Sequence, residues 1–350
     1  MGLRERERPP TLEDVARRAG VSRQTISRVI NGKGEVAAAT RERVLAAVLE
    51  LGYQPNSLAR SLATRKSPVL GLVVPDITQP FYPQIARAVE DAAFAAGYSV
   101  FLCDTAGSPD RERWALERLG GQRVGGVIIC NSRLDDATLA AAVRAFPVVL
   151  VNRELPDLDG TVIWSGYELG GEMATAHLLG LGRRRIAYLG LNYPNHIDEL
   201  KGQGYAQALV EVGLEPLPEL HRRVGNTFQG GYEAMALLAA EEVTVDAIFA
   251  FNDVMAIGAM RWALSHGQRV PEDVAVVGFG GSEVAAMVTP ALSTIAVPLY
   301  FIGLTAVQEI LNLIEGKGRA RRRVEVQPEL IVRGSSVTEG QPAALAGAPA

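Results

Sequence analysis

Arg23, Gln24, Ser27 and Arg28 share one face of a short helical stretch whose opposite face is Ile26, Val29 and Ile30. These are side chains that read base pairs. Arginine brackets the O6 and N7 of guanine, glutamine pairs with adenine, and serine meets phosphate or base. Their position depends on the elements around them. Upstream, Leu12, Val15, Ala16 and Ala19 recur at helical spacing and give a first helix one apolar face. Gly20 tolerates the positive φ that ends such a helix. Val21 plugs the turn, and Ser22 is suited to cap the second helix. A helix pair joined this way presents its second member to a major groove.

The charge distribution agrees. The 350-residue chain has a net charge of −4, which alone argues against a nucleic-acid partner. Residues 1–66, however, carry 13 Lys/Arg against 7 Asp/Glu, and the remainder 22 against 32. A basic head on an acidic body is expected when only the head meets phosphate.

The head resembles the LacI/GalR family of bacterial transcription regulators. The resemblance rests on Thr11-Leu12-Glu13-Asp14-Val15-Ala16, Ala19-Gly20-Val21-Ser22, Thr25 to Asn31, Thr40 to Val44 and Leu51 to Asn56, and it continues to about Ser336. It implies head contacts to DNA from Thr11, Leu12, Ser22, Arg23, Gln24, Thr25, Ser27, Arg28, Asn31 and Thr40. It also implies a hinge helix after Pro55 that folds when two copies meet on DNA, with contacts from Asn56, Ala59, Arg60 and Leu62. Leu62 is the expected wedge into the central minor-groove step, which bends the duplex. Small Ala59 lets two such helices approach, and Arg60 tracks the groove wall or phosphate. One departure is local: Ala37 stands where the family usually has a capping Ser. The missing cap costs about 1 kcal/mol of helix stability.

Beyond the hinge, apolar runs alternate with amphipathic stretches. Strands are expected at Val69–Val74, Tyr98–Leu102, Gly126–Cys130, Pro147–Val151, Thr161–Trp164, Ile186–Leu189, Ala247–Phe251 and Val274–Phe279. Helices are expected at Phe81–Ala96, Asp110–Gly120, Asp135–Ala145, Glu168–Leu181, Glu199–Val212, Gly230–Glu241, Val254–His266 and Tyr300–Glu315. Alternation of this kind means doubly wound parallel sheets covered on both faces. The count fits two lobes, and the resemblance implies a two-lobed periplasmic-binding-protein-like body with three chain crossings, near Ser165, Ile295 and Val324. The expected organisation is an all-α helix-turn-helix head over 1–55, a hinge and linker over 56–67, and the body over 68–337. One lobe takes about 68–165 plus 296–323, and the other about 166–295 plus 324–337. Residues 338–350 form an Ala/Gly/Pro-rich tail without the heptads that some relatives use to become tetramers, so a homodimer is expected.

Ligands of such folds sit at the carboxyl ends of strands. The positions that match effector contacts of the family are Phe81, Tyr82, Asp104, Asn131, Arg133, Arg153, Lys201, Phe228, Asn252 and Asp253. Departures carry information. Many sugar-binding relatives have a carboxylate where this chain has Gly280, and an Asp-Asn pair where it has Ser165-Gly166; their usual arginine is Lys201. Carboxylates have gone while Arg133, Arg153 and Lys201 stay, which suits an anionic effector, a sugar acid or sugar phosphate. Features around Lys201 and Gly278 also look like the gluconate-responsive branch.

Other functions are disfavoured. No Walker loop, nucleophile elbow or Cys/His pair at plausible spacing is present, so neither an enzyme nor a cofactor is expected. The four histidines lack ligand spacing, so no metal is expected. The body alone would read as a solute-binding protein, but the basic head and an N-terminus without an apolar leader run point to a cytoplasmic regulator. No run is long enough to span a membrane, and Cys103 and Cys130 end apolar strands, as core residues of a reduced protein do.

Overall fold

The computed structural model describes residues 8, 10–30, 36–53, 67–144, 146–155, 160–317 and 322–338. Asn31, the hinge residues Asn56, Ala59, Arg60 and Leu62, and the tail beyond residue 338 lie outside the described residues. The chain divides into two compact units, residues 1–68 and 69–350.

The first unit holds α1 (Leu12–Ala19), α2 (Arg23–Ile30) and α3 (Ala38–Leu51). Thr11 caps α1 in a capping box with Asp14, and Gly20 leaves it in the left-handed conformation, at φ 65°. Ser22 Oγ accepts from Thr25 N at 3.1 Å and so caps α2. Val15, Ala16, Ile26, Val29, Val44 and Ala47 form the core of the three helices. Ala37 precedes α3 with no side-chain cap, as its methyl group dictates.

The second unit alternates strands and helices: β1 (Val69–Val74), α4 (Phe81–Ala95), β2 (Ser99–Asp104), α5 (Pro109–Gly121), β3 (Gly126–Cys130), α6 (Asp136–Val143), β4 (Val148–Val151) and β5 (Thr161–Ser165). Then come α7 (Tyr167–Gly180), β6 (Ile186–Leu191), α8 (His196–Glu211), β7 (His221–Val224), α9 (Phe228–Ala240), β8 (Ala247–Ala250), α10 (Asp253–Ser265), β9 (Ala275–Gly280), α11 (Glu283–Met287) and β10 (Ser293–Ala296). The chain ends with α12 (Leu299–Ile314), β11 (Arg322–Val326) and β12 (Glu329–Ile331). One sheet runs β11-β5-β4-β3-β1-β2 and the other β12-β10-β9-β8-β6-β7.

The apolar runs are continuous because both faces of each sheet are covered. On β3, Ile128 and Cys130 face one core and Val127 and Ile129 the opposite one. Ala247 and Phe249 on β8 likewise face one layer, and Ile248 and Ala250 the other. The chain passes from sheet to sheet after Ser165, after Ala296 and between Val326 and Glu329. Each passage leaves the carboxyl end of a strand, so all three lie on the side where the two sheets face each other.

One strand departs from the all-parallel expectation. β12 pairs antiparallel with β10, Ala296 opposite Glu329. Only Gln327 and Pro328 join β11 to β12. The chain therefore enters the second sheet at its cleft side and has to run away from it. The strands that escaped the sequence pattern, β7 (HRRV), β10 (STIA), β11 (RRVEV) and β12 (ELI), are short or charged, and three of them are sheet edges. Charge on an edge strand blocks further pairing and hides the strand from a hydrophobicity reading.

Candidate functional sites

On α2, Arg23, Gln24, Ser27 and Arg28 are all exposed, while Ile26 and Val29 are buried. Arg23 lies 3.5 Å from Glu13 of α1. Arg18 pairs with Glu50 of α3 at 2.7 Å and ties the first helix to the third. Thr25 and Thr40 are half-buried at the starts of α2 and α3. The Thr11 hydroxyl donates to Asp14 Oδ2 at 2.7 Å inside the capping box, and Leu12 is half-buried beside it. The arrangement is a polar outward face on a helix whose tilt is fixed by two others.

In the second unit, a cleft of about 910 Å³ opens between the carboxyl ends of the two sheets. That is the size of a small-molecule site. Phe81, Tyr82, Asn131, Arg133, Arg153, Lys201, Asn252 and Asp253 all line it. Asp104 and Phe228 do not. Asp104 is exposed at the end of edge strand β2, its Oδ1 accepting from Ala106 N in a local turn. Phe228 is 40 % exposed at the first turn of α9, and its predecessors Asn226 and Thr227 reach the cleft instead. A one- or two-residue slip at a turn turns a side chain away, and sequence register could not detect it.

Phe81 and Tyr82 meet edge-to-face at 5.2 Å in the first turn of α4. The Tyr82 hydroxyl accepts from Asn131 Nδ2 at 2.7 Å, and burial raises its pKa. Asn131 follows β3 at φ 48°, and its Oδ1 is buried with no hydrogen-bond partner. Arg153 is engaged: it pairs with Asp136 at 2.6 Å and donates to the carbonyls of Leu134 and Glu154 at 3.1 and 3.2 Å. Arg133 donates to Gly107 O at 3.0 Å, and no carboxylate among the described residues pairs with its guanidinium.

Lys201 forms the floor. It is 3 % exposed, and Nζ donates to the Phe251 carbonyl at 2.8 Å. Nζ also lies 3.7, 4.0 and 5.1 Å from the ring centroids of Phe279, Phe251 and Tyr167. Burial draws its pKa down to about 7, against the pull of Asp198 and Asp253. Asp198 Oδ1 takes the Tyr188 hydroxyl at 2.6 Å, and Oδ2 takes Leu191 N at 3.2 Å.

Asn252 caps α10, its Oδ1 accepting from Met255 N at 2.9 Å, and its Nδ2 donates to Asn226 Oδ1. Asp253 is 2 % exposed and accepts from Ser282 N and Oγ, both at 2.7 Å, and from Thr294 Oγ1. Both side chains are occupied in holding α10, β10 and the loop before α11. A Cβ at Gly280 would meet Asp253 Oδ2 at 3.5 Å. The place left empty by the glycine therefore has a carboxylate beside it after all. The sequence also missed Asn152, which leaves β4 at φ 56°, donates to the Tyr167 hydroxyl at 2.9 Å and accepts from Ser165 N at 2.8 Å. Asn after an apolar strand, as at Asn131, was the available signal.

Among the described residues no cluster could hold a metal ion, and no helix is long and apolar enough to cross a membrane. Residues 11–56 match the model of bacterial regulatory proteins of the lacI family, and residues 175–336 that of a periplasmic binding protein-like domain. The ribose operon repressor of Escherichia coli (strain K12) is 34 % identical over 93 % of this chain and 99 % of its own. The HTH-type transcriptional repressor PurR of Mannheimia succiniciproducens is 34 % identical over 93 % of this chain and 98 % of its own. Among solved structures, a Lac repressor dimer bound to operator and the anti-inducer ONPF superposes with a TM-score of 0.86 at 30 % identity, covering 95 % of this chain and all of that one. A complex of the transcriptional regulator CelR with cellobiose gives 0.72 at 33 %, covering 93 % of this chain and all of that one.

Proposed function

The chain belongs to the lacI family of bacterial regulatory proteins, and from that premise we propose that it represses genes of sugar or sugar-acid metabolism by binding a near-palindromic operator as a homodimer. It acts in the cytoplasm and has no catalytic role. Arg23, Gln24, Ser27 and Arg28 read base edges, and Ser22, Thr25 and Thr40 meet phosphate. Asn56, Ala59, Arg60 and Leu62 supply the hinge, with Leu62 as the minor-groove wedge. A second copy of the chain has apolar surface to cover: Phe94, Phe101 and Phe301 are 84, 45 and 54 % exposed on α4, β2 and α12.

The effector sits in the cleft and is a small, hydroxyl-rich molecule carrying an acidic group. One observation carries this reading. Lys201 and Arg133 reach the cleft with no carboxylate in ion-pair distance among the described residues, while Asn131 Oδ1 waits for a hydroxyl donor. A neutral sugar is the second reading, because Asp136 already neutralises Arg153 and burial drives Lys201 toward its uncharged form. Calorimetry of the full chain with gluconate, 6-phosphogluconate, glucose and ribose separates the two. The acidic reading expects the acids to bind and Lys201→Met to weaken them at least tenfold. Tight binding of a neutral sugar, unaffected by Lys201→Met, overturns it. Loss of operator binding from a chain beginning at Val69 checks the role of the head.

A further inference from the structure

We propose that Arg133 and Tyr193 form a clasp across the mouth of the cleft, holding the two lobes closed before any ligand arrives. Arg133 belongs to the loop after β3 in one lobe, and Tyr193 to the loop after β6 in the other. The guanidinium carbon lies 4.8 Å from the centre of the Tyr193 ring. A planar, weakly hydrated cation on an aromatic face is a stable pairing that needs no salt-bridge partner.

The arm is prepared for this position from behind. Its backbone N–H donates to Glu112 Oε2 at 2.9 Å, and its Nη1 donates to the Gly107 carbonyl at 3.0 Å. Glu112 is 3 % exposed, and its other carboxylate oxygen has no hydrogen-bond partner, so a buried acid is spent on fixing this loop. Gly107 stands at φ 67°, and a Cβ there would come within 2.8 Å of Arg133 Nη1. Glycine holds that φ without strain, and an added Cβ would oblige the Arg133 guanidinium to shift. Beside the first chain crossing, Asn152 Nδ2 donates to the Tyr167 hydroxyl at 2.9 Å between the lobes, whereas away from the crossings the other contacts that span the cleft are weaker. Gln79 Nε2 reaches the Asn226 carbonyl at 3.4 Å, and Trp164 and His196 stand 6.0 Å apart between ring centroids.

The clasp must open for a ligand to enter and again for it to leave. It therefore tilts the closure equilibrium in the empty protein, and an effector acts only through its preference between the two states. This does not depend on which ligand the cleft takes, so it survives failure of the acidic-effector reading.

Hydrogen exchange of the full ligand-free chain, followed by mass spectrometry, tests it. The probes are cleft-wall peptides covering residues 76–82 and 224–230, away from the clasp. Arg133→Ala and Tyr193→Leu should each speed exchange there about fivefold, as loss of one cation–π contact implies. The double variant should be no faster than either single one. Tyr193→Phe, which keeps the ring face, should retain the parent rate. Unchanged rates in both single variants, additive effects in the double, or a Tyr193→Phe variant as fast as Tyr193→Leu would overturn the clasp.

Discussion

Lys201 is the residue where burial and charge conflict most directly. Its pKa falls from 10.5 to about 7 because the cleft floor desolvates it. The folded state thus disfavours the protonated amine. That penalty is absent above pH about 10.5, grows as pH falls toward 7, and is constant below. Lys201→Met should raise the stability of the ligand-free protein by roughly 1–3 kcal/mol. In urea unfolding the gain should be larger at pH 6.5 than at pH 9.5; an equal gain at both would mean the amine is not desolvated. Arg28 is the contrasting case, a cation left in water on α2. Arg28→Ala should cost roughly 1–3 kcal/mol of operator affinity and relax one base preference. Competition binding checks this, and equal losses on operator and random DNA would mean that Arg28 meets only phosphate.

At the scale of elements, caps and close approaches decide local stability. Helix α3 is preceded by Ala37 and has no side-chain cap, in a unit whose other two helices are capped by Thr11 and Ser22. Ala37→Ser should stabilise the head by about 1 kcal/mol, read as a higher melting temperature of a fragment spanning the first unit. No gain would mean that the residue before α3 cannot adopt capping geometry. In the second unit, α7 and α8 cross where Gly171 and Gly204 allow backbone contact. A Cβ on Gly204 would collide with the Glu168 carbonyl, and one on Gly171 with the Lys201 carbonyl. Because Lys201 rides on α8, this contact also sets the depth of the cleft floor. Gly204→Ala should destabilise the body by roughly 1–3 kcal/mol in urea unfolding, as overpacking does. A smaller loss would mean the helices can separate freely.

At the scale of the molecule, the basic head and the acidic body divide the work. Sedimentation at micromolar concentration should give twice 37.4 kDa, because exposed aromatics on α4, β2 and α12 need a partner. A tetramer would contradict this. The dimer should persist in a chain starting at Val69, since those aromatics all belong to the body.

What the sequence determined by itself was local: period-3.6 faces, apolar strand runs, caps and turns. The first two helices of the head, the strands from β1 to β9 other than β7, and the eight longer body helices follow from such patterns, because each is specified by residues within one turn or one strand. Tertiary structure decided the rest. β12 runs antiparallel because a two-residue link enters the second sheet from the cleft. Asp104 and Phe228 turn away from the cleft at loop ends. Arg153 and Asp253 meet partners 17 and 41 residues away, which spends charge the sequence left in the cleft. Lys201 acquires its cage from rings on α7, on β9 and just after β8, and Arg133 finds Tyr193 only across two lobes. Pattern fixes which face is apolar, but the environment of a charge depends on contacts distant in the chain.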